Sequence, residues 1–129
     1  MTGQPVDPFA LRIIRLALLG GVLVFGVAIA WMTGREGFTA DASLGGVLRL
    51  AFLVLTLGTL AALTAVRTAQ ARADADRRGT FAIVGWALGE SVALFGGVAW
   101  LLAGEMLLYL TGVGVLLVAF LLVPAPAES

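Results

Sequence analysis

The sequence predicts an all-α integral membrane protein, a single bundle of four transmembrane helices over residues 1–129 with both termini cytoplasmic. Composition is the first reason. Of 129 residues, 60% are hydrophobic and 12% charged, with a mean hydropathy of +1.05. Soluble domains run at about 45–50% apolar and about 25% charged, so this chain lacks the polar surface that water requires. Second, the apolar residues gather into four runs, each about 17–23 residues long, enough to cross a hydrocarbon core of about 30 Å. Third, the arginines cluster in alternate connecting segments, which sets an orientation.

The first helix is expected over about 12–33. Asp7-Pro8 reads as an N-cap followed by proline at the first helical position, and Gly34 as the stop. Arg12 and Arg15 then lie in the headgroup zone, and Trp31 marks the far interface. The run reaches spanning length without a polar region before Ala28-Ile29-Ala30, which favours a retained helix over a cleaved signal peptide.

The second helix is expected over about 44–66, with Asp41 and Ser43 as cap candidates and Arg49 shallow enough to snorkel. The 67–79 segment, RTAQARADADRRG, reads as a cytoplasmic loop that extends the second helix. Arg72 with Asp76 and Asp74 with Arg78 stand at i,i+4 spacing there. The third helix is expected over about 80–103 with Thr80 as N-cap, then a turn at Gly104-Glu105. The fourth, over about 105–123, stops at Pro124.

Six arginines (Arg12, Arg15, Arg67, Arg72, Arg77 and Arg78) fall on one side of this arrangement and two, Arg35 and Arg49, on the other. That bias places the termini and the 67–79 loop in the cytoplasm and the chain in the inner (plasma) membrane.

The residue inventory narrows the chemistry. There is no Cys, His or Lys, and the three serines, Ser43, Ser91 and Ser129, have no base to activate them. Thiolate and imidazole metal sites, haem attachment, Schiff bases and a P-loop all drop out, so neither an enzyme nor a cofactor is expected. Net charge is zero, with no basic surface for nucleic acid. The bilayer is the expected partner, together with a homo-oligomer or a larger membrane complex.

Glu90 stands apart. It is the tenth residue of the run from Phe81 to Ala103, and the only carboxylate inside it. At about 1.5 Å per residue it lies roughly 14 Å into the membrane, where an ionised carboxylate costs about 2.5–3.5 kcal/mol. It is therefore expected to carry a proton, and it points either to function or to a hydrogen bond between helices. Folding the second and third helices back about Ala73 sets Glu90 opposite Thr56, with Thr59 a turn away. Both threonines are candidate partners for the carboxyl group. Gly85, Gly89, Ala93 and Gly97 recur every fourth residue beside it. Such a small-residue ridge allows close packing, against the second or fourth helix or between copies, and should turn Glu90 away from lipid.

The segment 71–103 resembles the hairpin of the proteolipid c subunit of rotary ATP synthases. Arg72, Arg77 and Arg78 occupy the polar loop, Ala87-Leu88-Gly89-Glu90-Ser91 the carboxylate site, and Phe95 with Gly96-Gly97-Val98 the following aromatic and aliphatic run. The resemblance implies that Glu90 binds a translocated ion, with Ser91 and the Leu88 carbonyl as accessory ligands. Phenylalanine at position 95 lacks the hydroxyl of the sodium-binding members, so the implied ion is a proton. The expected function is thus a proton-binding component of an ion-translocating or proton-coupled assembly. The alternatives are an accessory or assembly subunit and a small oligomeric transporter or channel.

Overall fold

The computed structural model describes residues 7–124 as four α-helices: α1 (Pro8–Thr33), α2 (Gly45–Arg72), α3 (Ala75–Ala103) and α4 (Met106–Leu122). α1, α2 and α3 are long and apolar enough to cross a membrane. α4, with 17 residues, is about 26 Å long and apolar throughout.

Local chemistry sets most of the ends. Asp7 Oδ1 accepts the Phe9 N–H at 3.0 Å, with Pro8 at the first helical position, and Gly34 closes α1 through its N–H to the Ala30 carbonyl. Asp41 caps a single 3-10 turn, Ala42–Leu44, ahead of α2. The Ser43 hydroxyl and then the Ser43 N–H donate to its carboxylate and hold it below the usual aspartate range. The Asp41 N–H in turn donates to the Leu102 carbonyl at 2.8 Å, tying this connection to the end of α3. Gly104, at φ 76°, makes the left-handed turn between α3 and α4 that a side chain would resist.

The connection between α2 and α3 is much tighter than its sequence suggests. Only Ala73 and Asp74 lie outside a helix, and α3 starts at Ala75 with Asp74, not Thr80, as its N-cap. Alanine and arginine favour helix whether or not they are apolar, so the helix outruns the hydrophobic stretch. Neither expected ion pair forms among the described residues. Arg72 and Asp76 stand on different helices, and Arg78 donates Nε to the Ala73 carbonyl at 3.2 Å instead of pairing with Asp74. Gln70, buried on α2, donates Nε2 to the carbonyls of Arg78 at 3.0 Å and Pro124 at 3.1 Å. One amide thereby ties the ends of three helices.

α3 is the central helix and packs against the other three, whereas α1 and α2 scarcely meet. At one end Leu11, Leu63, Ala82, Trp86, Ala119 and Val123 form a core drawn from all four helices. Further along, Val22, Ala93, Tyr109 and Leu116 join α1, α3 and α4, and Phe52, Val92 and Val115 join α2, α3 and α4. The outer surface is apolar too: Val27, Val47, Leu107 and Leu121 are each at least 70% exposed. Water tolerates no such coat over a whole bundle, and lipid does.

Two further buried polar side chains bridge helices. Trp86 Nε1 donates to the Val123 carbonyl at 2.8 Å, and Tyr109 Oη donates to the Val22 carbonyl at 2.7 Å. Val123 lies beyond α4, and among the described residues its carbonyl accepts only from Trp86. Val22, inside α1, still accepts from Gly26 in the i→i−4 ladder. Trp86→Phe should therefore cost about 1–3 kcal/mol by orphaning a buried carbonyl, and Tyr109→Phe about 1 kcal/mol or less. Thermal unfolding in detergent checks the order; equal losses would contradict it.

Candidate functional site

Glu90 lies midway along α3 and is half-buried. Its helix face is fixed by its neighbours one and two turns away. Trp86 carries the Arg15 guanidinium above its ring, 5.8 Å from the centroid, and Gly97 faces Phe25 and Ile29. Ala93 belongs to the cluster built on Val22. Positions 86, 90, 93 and 97 form one helical stripe, so Glu90 shares the face that α3 turns toward α1. Val92, facing Phe52, marks the α2 side, well around the helix.

This placement separates Glu90 from the threonines expected to hold it. Thr59 is buried on α2, and Thr56 Oγ1 is buried with no hydrogen-bond partner among the described residues. Neither hydroxyl bonds to Glu90, whose carboxyl has no hydrogen-bond or ionic partner among the described residues. Fold-back arithmetic gives a common depth; it does not give the direction in which a helix points.

Ser91 is exposed, and its Oγ donates to the Leu88 carbonyl at 2.6 Å. The two groups that the c-subunit likeness pairs as accessory ligands are thus bonded to each other. Serine bonding back to its own helix is ordinary in apolar surroundings and satisfies the hydroxyl.

The small-residue ridge divides between two neighbours. A Cβ on Gly85 would meet Val123 at 3.0 Å, and one on Gly89 would meet the Leu116 Cα at 3.0 Å, both facing α4. Ala93 meets Gly112 of the same helix. Gly97 instead faces α1. Each four-residue step advances about 40° beyond a full turn, so a strict i,i+4 ridge rotates off its partner within three steps. The α4-facing stripe continues through Gly96, which spacing by fours passes over. Also missed by sequence reading are Tyr109, Trp86 and Gln70, whose hydrogen bonds run to distant main-chain carbonyls.

The remaining polar contacts sit at the ends. Arg49 reaches Glu105 Oε1 through Nε at 2.8 Å and Nη2 at 2.7 Å, joining α2 to the turn before α4. Arg35 lies over the Trp31 ring at 4.7 Å. No family model, curated protein or solved structure matches the chain.

Proposed function

We propose that this chain is a non-enzymatic, four-span protein of the plasma membrane that binds a proton at Glu90 as part of an ion-translocating or proton-coupled assembly. One observation carries the reading. A carboxyl group lies in the middle of an apolar helix, half-buried, with no partner of its own among the described residues. A carboxyl that merely glued these helices together would need an acceptor or donor within the bundle. Intramembrane carboxyls without a structural bond mark ion sites and proton relays. The local likeness of 71–103 to the c-subunit hairpin points the same way. The arginine bias puts both termini and the α2–α3 turn on the cytoplasmic side.

A second reading has its own support. Glu90 borders the bundle surface beside exposed Ser91, where a helix of another chain could supply the missing partner. The protein would then be an accessory or assembly subunit, or one copy in a homo-oligomer. Hydrophobic carbodiimide treatment of native membranes tests the first reading. Glu90 should be modified, and the modification should fall as pH rises, because the reagent attacks the protonated carboxyl. Absence of modification at every pH would sink the proton-site reading. Co-extraction in mild detergent with a larger complex, from which the reagent cannot reach Glu90, is the outcome expected of the accessory subunit.

A further inference from the structure

At the bundle end where α2 meets α3, a cavity of about 340 Å³ opens between the last turns of α2, the first turn of α3 and the end of α4. Arg67, Gln70 and Ala71 line it from α2, Arg78 from α3, and Leu121, Leu122 and Pro124 from the α4 end. We propose that this cavity binds the phosphate of an anionic phospholipid between Arg67 and Arg78. The inference rests on the membrane-bundle reading above and is independent of the role of Glu90.

Four features support it. Arg67 is exposed and has no hydrogen bond or ion pair among the described residues. Arg78 uses only Nε, on the Ala73 carbonyl, which fixes its stem and leaves its terminal nitrogens without a partner among the described residues. Two guanidinium groups with open donor edges match phosphate oxygens. Among the described residues no carboxylate lines the cavity; Asp74 lines a separate one with Arg72 and Arg77. The walls are also held in place, because Gln70 spends both bonds of its amide nitrogen on Arg78 and Pro124.

The lining selects a lipid over free phosphate. Arg67 is the first residue after the apolar run of the second helix, at headgroup level. Leu121 and Leu122 give the cavity an apolar wall, against which acyl chains would lie. A zwitterionic headgroup would bring its own cation against two arginines, so phosphatidylglycerol or cardiolipin fits and phosphatidylcholine does not.

The test is native mass spectrometry of the intact protein released from nanodiscs of phosphatidylglycerol mixed with phosphatidylcholine. Wild type should retain phosphatidylglycerol selectively. Arg67→Gln and Arg78→Gln should each lower its retention about five-fold, and the double variant about twenty-five-fold. Ala71→Trp, which fills the cavity and leaves every charge in place, should lower retention as the arginine variants do. Arg77→Gln removes the same charge one residue along α3, where Arg77 lines the separate cavity with Asp74, and should lower retention clearly less than Arg78→Gln. An equal loss in Arg77→Gln would mean diffuse attraction and overturn the site. Full displacement of the lipid by inorganic phosphate would overturn the assignment to a lipid. Failure of the protein to sediment with membranes at all would overturn the membrane reading itself, which lipid selectivity does not address.

Discussion

Alanine at Gly96 or Gly112 is expected to force α3 and α4 apart and to lower stability by about 1–3 kcal/mol at either site. A Cβ on Gly96 would stand 2.7 Å from the Leu108 carbonyl carbon and 2.8 Å from the Tyr109 Cα. One on Gly112 would stand 2.6 Å from the Ala93 Cα and 2.8 Å from the Val92 carbonyl oxygen. All four are main-chain atoms. No rotamer change relieves such a contact, so one helix must move bodily against a neighbour it otherwise fits. The movement would also draw Val92 and Ala93 away from Val115 and Val22, weakening two of the three core clusters. Because both glycines serve one interface, the double substitution should cost less than the sum of its parts. Gly58→Ala and Gly114→Ala provide the contrast. Nothing lies within 4 Å of a Cβ at either position, and replacing a helix-interior glycine there should stabilise by about 0.5–1 kcal/mol. Thermal unfolding followed by circular dichroism in detergent separates the two classes. A Gly96→Ala protein as stable as Gly58→Ala would show that the helices do not pack this closely.

These contacts mark where sequence reading stops. Asp7-Pro8, Gly34 and Gly104 are legible because capping is local: one side chain or one left-handed residue acts on its own helix end. The start of α3 is not legible from hydropathy. The apolar run reports which part of a helix lipid could contain, while Ala75 to Gly79 are helical for reasons of propensity and turn geometry. Glu90 shows the same division. Its depth follows from counting residues along one helix, but its neighbour depends on how α3 is rotated, and that is decided by where Trp86, Val92 and Gly96 pack. A small-residue ridge counted by fours captures Gly85 and Gly89 and drifts off by Gly97. The Gln70 amide has no sequence signature at all, since its acceptors are the carbonyls of Arg78 and Pro124.

Glu90→Gln should separate function from folding. Glutamine keeps the volume and polarity of the side chain but cannot take up or release a proton. The carboxyl has no partner among the described residues, so the exchange removes no bond, and stability should stay within about 0.5 kcal/mol of wild type. Carbodiimide labelling and any proton flux assigned to the protein should both disappear. Glu90→Leu extends the argument. If the carboxyl were helix glue, leucine would destabilise the bundle. With no bond to lose and a polar group removed from an apolar setting, leucine should instead stabilise it by about 1 kcal/mol or more. A variant that folds more tightly and conducts nothing is the pattern of a residue kept for its chemistry at the expense of stability. Wild-type flux in Glu90→Gln, or a clear loss of stability in Glu90→Leu, would return Glu90 to a structural role. In the second case the missing partner would lie outside the described residues, none of which bonds to the carboxyl.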